Sequence, residues 1–342
     1  MAVWMVRAGQ HGEREDFALN NGVAIVGWYQ MPDMASFTSR EALQEVYAKV
    51  YPDAKPKKMT IHVSQLWFFR DRIQEGDIVV LPLKSRSSIA FGRIVGPYRY
   101  RGDFPTYAQH TRAVEWVRID VPRGDIGRDL LFSFGAALTV CRISRANAEQ
   151  RVTAIIKGSR DPSLSSPPSP LGGGDGEDDP QINVETYAKD QIRERLSAQY
   201  SGHGFGSLMA AILKAQGYKV RESTPGADGG VDIVAGSGFM GFDPPRLCVQ
   251  VKSQASPIDV GVLRELQGVM KNYGAEHGLL FSWGGFKESV YREARTLFFE
   301  IRLWDSNQFI DALFEAYDRL AEDIQADIPL KKIWALVDDE AN

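Results

Sequence analysis

Residues Pro225 to Gln254 read PGADGGVDIVAGSGFMGFDPPRLCVQVKSQ. A Gly-rich acidic turn leads into the run Val231-Asp232-Ile233-Val234. A loop rich in Gly and Pro follows, and then Leu247-Cys248-Val249-Gln250-Val251-Lys252. Short β-branched runs bounded by Gly and Pro predict the two strands of a hairpin, although so long a loop gives no tight-turn signature. Side chains alternate along a strand, so Val249 and Val251 point one way and Cys248, Gln250 and Lys252 the other. With Asp232 on the preceding strand, pairing is expected to bring an acid, an amide and a lysine to one open face. That set suits a divalent cation beside an anionic substrate such as a phosphodiester.

The ordered pair Gly229-Gly230-Val231-Asp232 and, one strand later, Gln250-Val251-Lys252 resembles the catalytic core of the Mrr-like branch of the PD-(D/E)xK nucleases. The resemblance runs from about Gly204 to Asp305. It takes in Phe205 through Gly217-Tyr218, then Val262, Arg264, Glu265 and Leu266, then Gly278 to Ser282 followed by Phe286. It implies an αβββαβ nuclease domain, double-stranded DNA as partner and Mg²⁺ as cofactor, with Mn²⁺ able to substitute. In that reading Asp232 ligates the metal, and the Gln250 amide oxygen or the Val251 carbonyl offers a second position. Lys252 orients the attacking water or neutralises developing charge. Asp228 is a supporting catalytic candidate, although an Asp before two glycines is also what a turn requires. One departure stands out: relatives carry a Glu directly after the Phe of the preceding helix, where this chain has Gly206. Asp232 is then the only motif carboxylate, with Asp228 or Glu222 left to compensate. Gln250 in place of an acid removes a negative charge, so a weaker Mg²⁺ site is expected.

At 342 residues with 44% apolar side chains, the chain is long enough for two folded domains. A formal net charge of -4 excludes a globally basic nucleic-acid binder, so DNA contacts must come from local patches. The 2 cysteines, Cys141 and Cys248, are far apart, which excludes a disulfide framework or a zinc site and fits a reducing cytosol. The opening MAVWMVRAGQHGE turns polar too soon for a signal peptide, and no apolar run approaches bilayer length. A soluble cytoplasmic protein is the expectation.

Residues 1–160 form one unit by pattern. Strand signals at Ala2–Ala8, Val23–Trp28, Asp77–Pro82, Ser88–Ile94 and Ala113–Arg118 surround a helix at Ser39–Val50 with Ser39 as N-cap. Ile61–Arg70 fits a helix or an irregular segment. Several short strands with few helices predict a small mixed β-barrel. Gly22 to Trp28, Ser39-Arg40-Glu41, Leu66-Trp67-Phe68, Gly76 to Pro82 and Ile89 to Gly92 together resemble an EVE-like domain of the PUA/YTH-related superfamily. That resemblance implies a reader of modified DNA that holds a flipped base, here modified cytosine, between aromatic rings. Trp28 and Trp67 are the candidates for stacking, from a set that includes Trp4 and Phe68, although an aromatic in a small barrel more often belongs to the core. Lys84 and Arg86, just after a strand, are candidates for the DNA backbone, and Lys55, Lys57 and Lys58 for the same role or a solvated face.

Residues 161–181 are almost wholly Pro, Ser, Gly and acid, and predict a flexible linker that cannot bury enough apolar surface to order itself. Residues 182–342 then form the nuclease domain, opening on an amphipathic helix with Val184, Ala188, Ile192 and Leu196 on one stripe. A fold of α+β or α/β class in two parts follows. The function expected is a modification-dependent DNA endonuclease of type IV-like restriction, acting as a homodimer because a single-site subunit must pair to cut two strands. Two alternatives stay open: a modified-DNA binder that has lost catalysis, and a nuclease of repair or branched DNA.

Overall fold

The computed structural model describes residues 1–165, 183–200, 202–223 and 230–334. They divide into two compact units, residues 1–187 and 188–334. The first contains β1 (Val3–Val6), α1 (Glu15–Asn20), β2 (Val23–Val26), α2 (Arg40–Val50), α3 (Pro56–Trp67), β3 (Ile78–Pro82), β4 (Ser88–Tyr100), β5 (His110–Pro122), α4 (Arg128–Phe134), β6 (Val140–Arg142) and α5 (Ala148–Ile156). Ser39 caps α2 as its residue type predicts, its hydroxyl accepting from the Ala42 N–H at 3.2 Å. Ile61–Arg70 resolves into the end of α3 and a wider helical turn over Phe68–Arg72.

The strands form one sheet in the order β2-β5-β4-β3-β1-β6. This corrects the expected barrel. Both edges of β1 are taken, by β3 in parallel and by β6 antiparallel, so it offers none to β2, and no pairing among the described residues closes the ring. Apolar residues run unbroken along β1 because helices cover both faces. Val3 and Met5 pack with α4 and α5, while Trp4 and Val6 pack with α2 and α3.

Asp161, expected to head the linker, is instead buried in this unit. Its carboxylate receives Arg151 at 2.6 Å and the Gly127 N–H at 2.7 Å. Burial pushes this carboxyl up, but the bonds from Arg151, Gly127 and Ser163 outweigh it and hold the group below the usual carboxylate range. A short turn follows at Pro162–Ser165 with no buried residue, and the rest of the expected linker lies outside the described residues.

Helix α6 (Val184–Gln199) spans the boundary between the units. Of its predicted stripe Leu196 is buried and Val184 is exposed. The second unit continues α7 (Gly204–Ala215), β7 (Lys219–Glu222), β8 (Ile233–Ser237), β9 (Asp243–Lys252), α8 (Val260–Met270), β10 (His277–Ser282), α9 (Glu288–Ala294), β11 (Ile301–Trp304), α10 (Ser306–Ala316) and α11 (Glu322–Asp327). A short turn at Tyr317–Arg319 separates α10 from α11. The sheet order is β11-β10-β9-β8-β7, antiparallel from β7 to β9 and parallel from β9 to β11. Helices α7 and α10 bury one face around Phe205, Val249, Phe281 and Phe309. Helix α8 covers the other around Cys248, Leu263, Leu266 and Leu280. Among the described residues no helix is long and apolar enough to cross a membrane.

Candidate active site

The end of β8 meets the end of β9 where the Asp and Gln-x-Lys elements lie. The register pairs Ile233 with Val249, which sets Asp232 just beyond the ladder, level with the Gln250 end of β9. Three bonds fix Asp232 there. Its N–H donates to the Val249 carbonyl at 2.9 Å, and its own carbonyl accepts from the Ser223 N–H at 2.8 Å. Its carboxylate Oδ2 accepts from the Val251 N–H at 2.7 Å. The carboxylate is thus seated on the backbone between Gln250 and Lys252. It remains exposed, and Oδ1 accepts from no described residue. A side chain locked this way presents its free oxygen without further ordering cost.

The open face expected for Cys248, Gln250 and Lys252 is mostly closed. Cys248 is fully buried under α8, where burial pushes its thiol up to about 11, so it stays protonated and inert. Gln250 is 1% exposed and its amide oxygen has no hydrogen-bond partner among the described residues. An unpaired buried acceptor costs about 1–3 kcal/mol, which a ligand atom at this position would offset. Only at Lys252, half-buried at the strand end, and at exposed Asp232 does the face open. The alternation that predicted a simple strand face breaks at Asp232, because Val231 and Ile233 join cores on opposite sides of the sheet.

Gly230 explains one glycine of the motif. Its φ of +92° is a conformation that side-chain-bearing residues rarely adopt, and a Cβ there would stand 2.9 Å from the Gln250 amide nitrogen. Asp228 and Gly229 lie outside the described residues. Glu222 pairs across the sheet with Ile233, but its carboxylate is engaged by Lys214 and by the Ser207 hydroxyl, each at 3.2 Å. His203 is an exposed residue at the start of α7, and Gln267 is half-buried on α8.

Gly206 sits in the first turn of α7, and a Cβ built on it meets nothing within 4 Å. The space for the relatives' Glu is therefore present. Gly206→Glu is expected to stabilise the fold by about 0.5–1 kcal/mol, from lost backbone freedom in the unfolded chain and a favourable charge at a helix N-terminus. It should also lower the Mg²⁺ concentration needed for half-maximal cleavage. Thermal unfolding and a Mg²⁺ titration of cleavage check the two halves separately.

The candidates in the first unit are placed less openly than expected. Trp28 is half-buried, and its indole N–H donates to His62 at 3.0 Å with the rings edge to face. Trp67, also half-buried, lies under the Arg70 guanidinium at 5.2 Å. Both rings pack against the same core, but no ring contact joins them. Arg86 is 4% exposed and pairs with Asp16 at 3.4 Å, which corrects its placement on an open phosphate-facing loop. Lys84 has its backbone N–H on Glu15 at 2.6 Å and its ammonium beside Thr186 at 3.4 Å. Glu15 organises this loop: it is buried, which raises its carboxyl against the lowering bonds from Ser85 and Lys84. Its role had no sequence signal, since an acid in the first turn of a short helix reads as an exposed one.

Among the described residues no group of three or more His, Cys, Asp or Glu stands ready for a metal. The donors present are the free Asp232 oxygen and the unpaired Gln250 amide oxygen, both hard. Mg²⁺ takes one or two carboxylates and keeps several waters, so this sparse oxygen set fits it.

A family model described as restriction endonuclease, the Mrr catalytic domain, matches residues 197–313. The second unit therefore carries a restriction endonuclease domain of this type. A second family model, a domain of unknown function, matches residues 4–128, so the EVE-like assignment finds no support there. No curated protein matches the chain. Among solved structures, the chain is similar to the MspJI restriction endonuclease in complex with a 27-mer oligonucleotide, at 14% identity, 96% of this chain, 80% of that chain and a TM-score of 0.33. It is also similar to the DNA modification-dependent restriction endonuclease AspBHI, at 17% identity, 90% of this chain, 79% of that chain and a TM-score of 0.32.

Proposed function

We propose that the chain is a Mg²⁺-dependent DNA endonuclease whose second unit cuts and whose first unit chooses the substrate by a modified base, in the manner of modification-dependent restriction. The observation that carries the reading is the seating of the Asp232 carboxylate on the Val251 N–H, between Gln250 and Lys252, inside a restriction endonuclease domain. Asp232, the Gln250 amide oxygen and the Val251 carbonyl would hold the cation, with Asp228 as a supporting acid. When bound, the cation supplies an acidified water and neutralises charge on the phosphate oxygens. Lys252, at the same strand end, would orient the attacking water and meet the charge developing on the nonbridging oxygens. Cleavage of both strands by single-site chains calls for a homodimer on the DNA.

The choice of modified cytosine belongs to Trp28 and Trp67, each half-buried with polar neighbours. Stacking on such rings contributes roughly 1–3 kcal/mol per base. One observation favours a second reading, a domain that binds modified DNA without cutting: Gly206 leaves Asp232 as the only described motif carboxylate. Matched duplexes, unmodified or carrying methylated or hydroxymethylated cytosine, separate the two when incubated with Mg²⁺ or Mn²⁺. Cutting of the modified duplex alone supports the first reading. Selective retention without turnover supports the second, and equal cutting of all duplexes removes the modified-base reader.

A further inference from the structure

Resting on the nuclease reading above, we infer that the open face of β7 and β8 is the track of the DNA backbone, and that the β8–β9 hairpin tip is an apolar wedge that enters the duplex. Strand β7 is the outer strand of the sheet. Val220 and Glu222 turn towards α7, Val220 into the core and Glu222 onto Ser207 and Lys214. By alternation Lys219 and Arg221 turn to the other face. Helix α8 lies over β9 and β10 on that side, and both cations are exposed. Neither forms an ion pair with a described residue. Two like charges two residues apart repel each other unless an anion joins them.

The register gives the line a direction. Arg221 stands opposite Val234 and Lys219 opposite Gly236, so the cations step away from Asp232 along β8 at intervals of about 7 Å. Beyond Lys219 comes the tip. Phe239, Met240 and Phe242 are 92%, 68% and 72% exposed there. Gly238 and Gly241 turn the chain around them with φ of +78° and +79°. Gly241 closes over Lys219, with a Cβ at Gly241 standing 2.8 Å from the Lys219 Cβ, so cation and apolar tip share one surface. The tip's acid, Asp243, turns back over Gly238.

An exposed apolar group this large has no business in water unless something covers it. The cations that lead to it select a polyanion as the occupant. Apolar side chains that insert between base steps, flanked by phosphate contacts, unstack and bend a duplex. The spacing makes the inference quantitative. Five residues of β8 separate Asp232 from the tip, about 17 Å, which is about five base pairs of B-form rise.

The test uses the full chain carrying Lys252→Ala, which holds complexes uncut, on a duplex whose cut position the unaltered chain has mapped. 2-Aminopurine is moved along that duplex one position at a time. A fluorescence rise confined to about five base pairs from the cut, and lost in Phe239→Ser/Phe242→Ser, is the expected result. Lys219→Ala/Arg221→Ala should weaken duplex binding about tenfold near 0.1 M salt and reduce the salt slope by about two. All four side chains are exposed, so melting temperatures should not move. A fluorescence rise that persists in the Phe variant, or a salt slope that the cation variant leaves intact, overturns the inference while cleavage by the unaltered chain keeps the nuclease reading. Loss of self-association in the Phe variant, with DNA binding unchanged, overturns it in favour of a second copy of the chain at the tip. An unaltered chain that binds no duplex removes both readings.

Discussion

Asp232→Ala and Lys252→Ala are each expected to lower single-turnover cleavage by about three orders of magnitude, while duplex affinity stays within a few-fold. The geometry separates the two effects. The Asp232 carboxylate is fixed by its own backbone bonds and by the Val251 N–H, so its loss removes an oxygen donor without moving the strand end. The β8–β9 register is held by Ile233 and Val249, both buried, and does not depend on either substituted side chain. Lys252 is half-buried at the last position of β9, and its backbone carbonyl accepts from the Trp283 N–H at 2.9 Å whatever the side chain. Removing a group that acts only on the developing charge lowers the rate and spares binding. Quenched-flow cleavage together with a filter-binding isotherm checks both halves. A matched fall in affinity would assign these residues to DNA binding instead.

Phe205→Ala is expected to destabilise the second unit by about 3–5 kcal/mol. The ring is 1% exposed and lies 4.4 Å from Trp283, 5.8 Å from Phe281 and 5.9 Å from Phe309, centroid to centroid. It anchors the first turn of α7 to the sheet, so a cavity there loosens the helix that carries Ser207 and, through it, Glu222. Denaturant unfolding followed by the Trp283 signal measures the loss. Because the two units have separate cores, a transition that belongs to the first unit should not shift. Leu at position 205 should recover part of the stability, because it refills volume without the aromatic edge contacts.

The second unit was readable along the chain because its punctuation is local. Gly217 and Gly274 end the α7 and α8 regions with φ of +101° and +60°, and the apolar runs of β8 and of the end of β9 lie between them. The order from α7 to β10 matches the αβββαβ arrangement that the resemblance implies. The Asp305 to Gln308 capping box, with both reciprocal bonds made, is a further local signal that places the start of α10. The first unit was less readable for a topological reason. Whether six strands close or stay open depends on which strand takes the free edge of β1, and β6 is only three residues long. A run that short carries no periodicity to detect.

The site divides along the same line. Asp232, Gln250 and Lys252 could be found because two short motifs meet at one sheet end. The burial of Gln250 could not, because it follows from α8 lying over β9, a packing fact between distant segments. Arg86 misleads for the same reason. A basic residue in a Ser-rich loop reads as solvent-facing, and only the fold shows Asp16 and Glu15 drawing that loop inward. Buried charges gain their partners from tertiary structure, and sequence pattern is silent on that pairing.

The most direct test of the account is single-turnover cleavage of a duplex carrying methylated cytosine by the unaltered chain, with Mg²⁺ titrated against a chelator. The account predicts cut product that rises with free Mg²⁺, saturates, and vanishes when the metal is removed. Product that forms equally in excess chelator, or no product at any Mg²⁺ or Mn²⁺ concentration, would contradict a metal-dependent nuclease built on Asp232, Gln250 and Lys252.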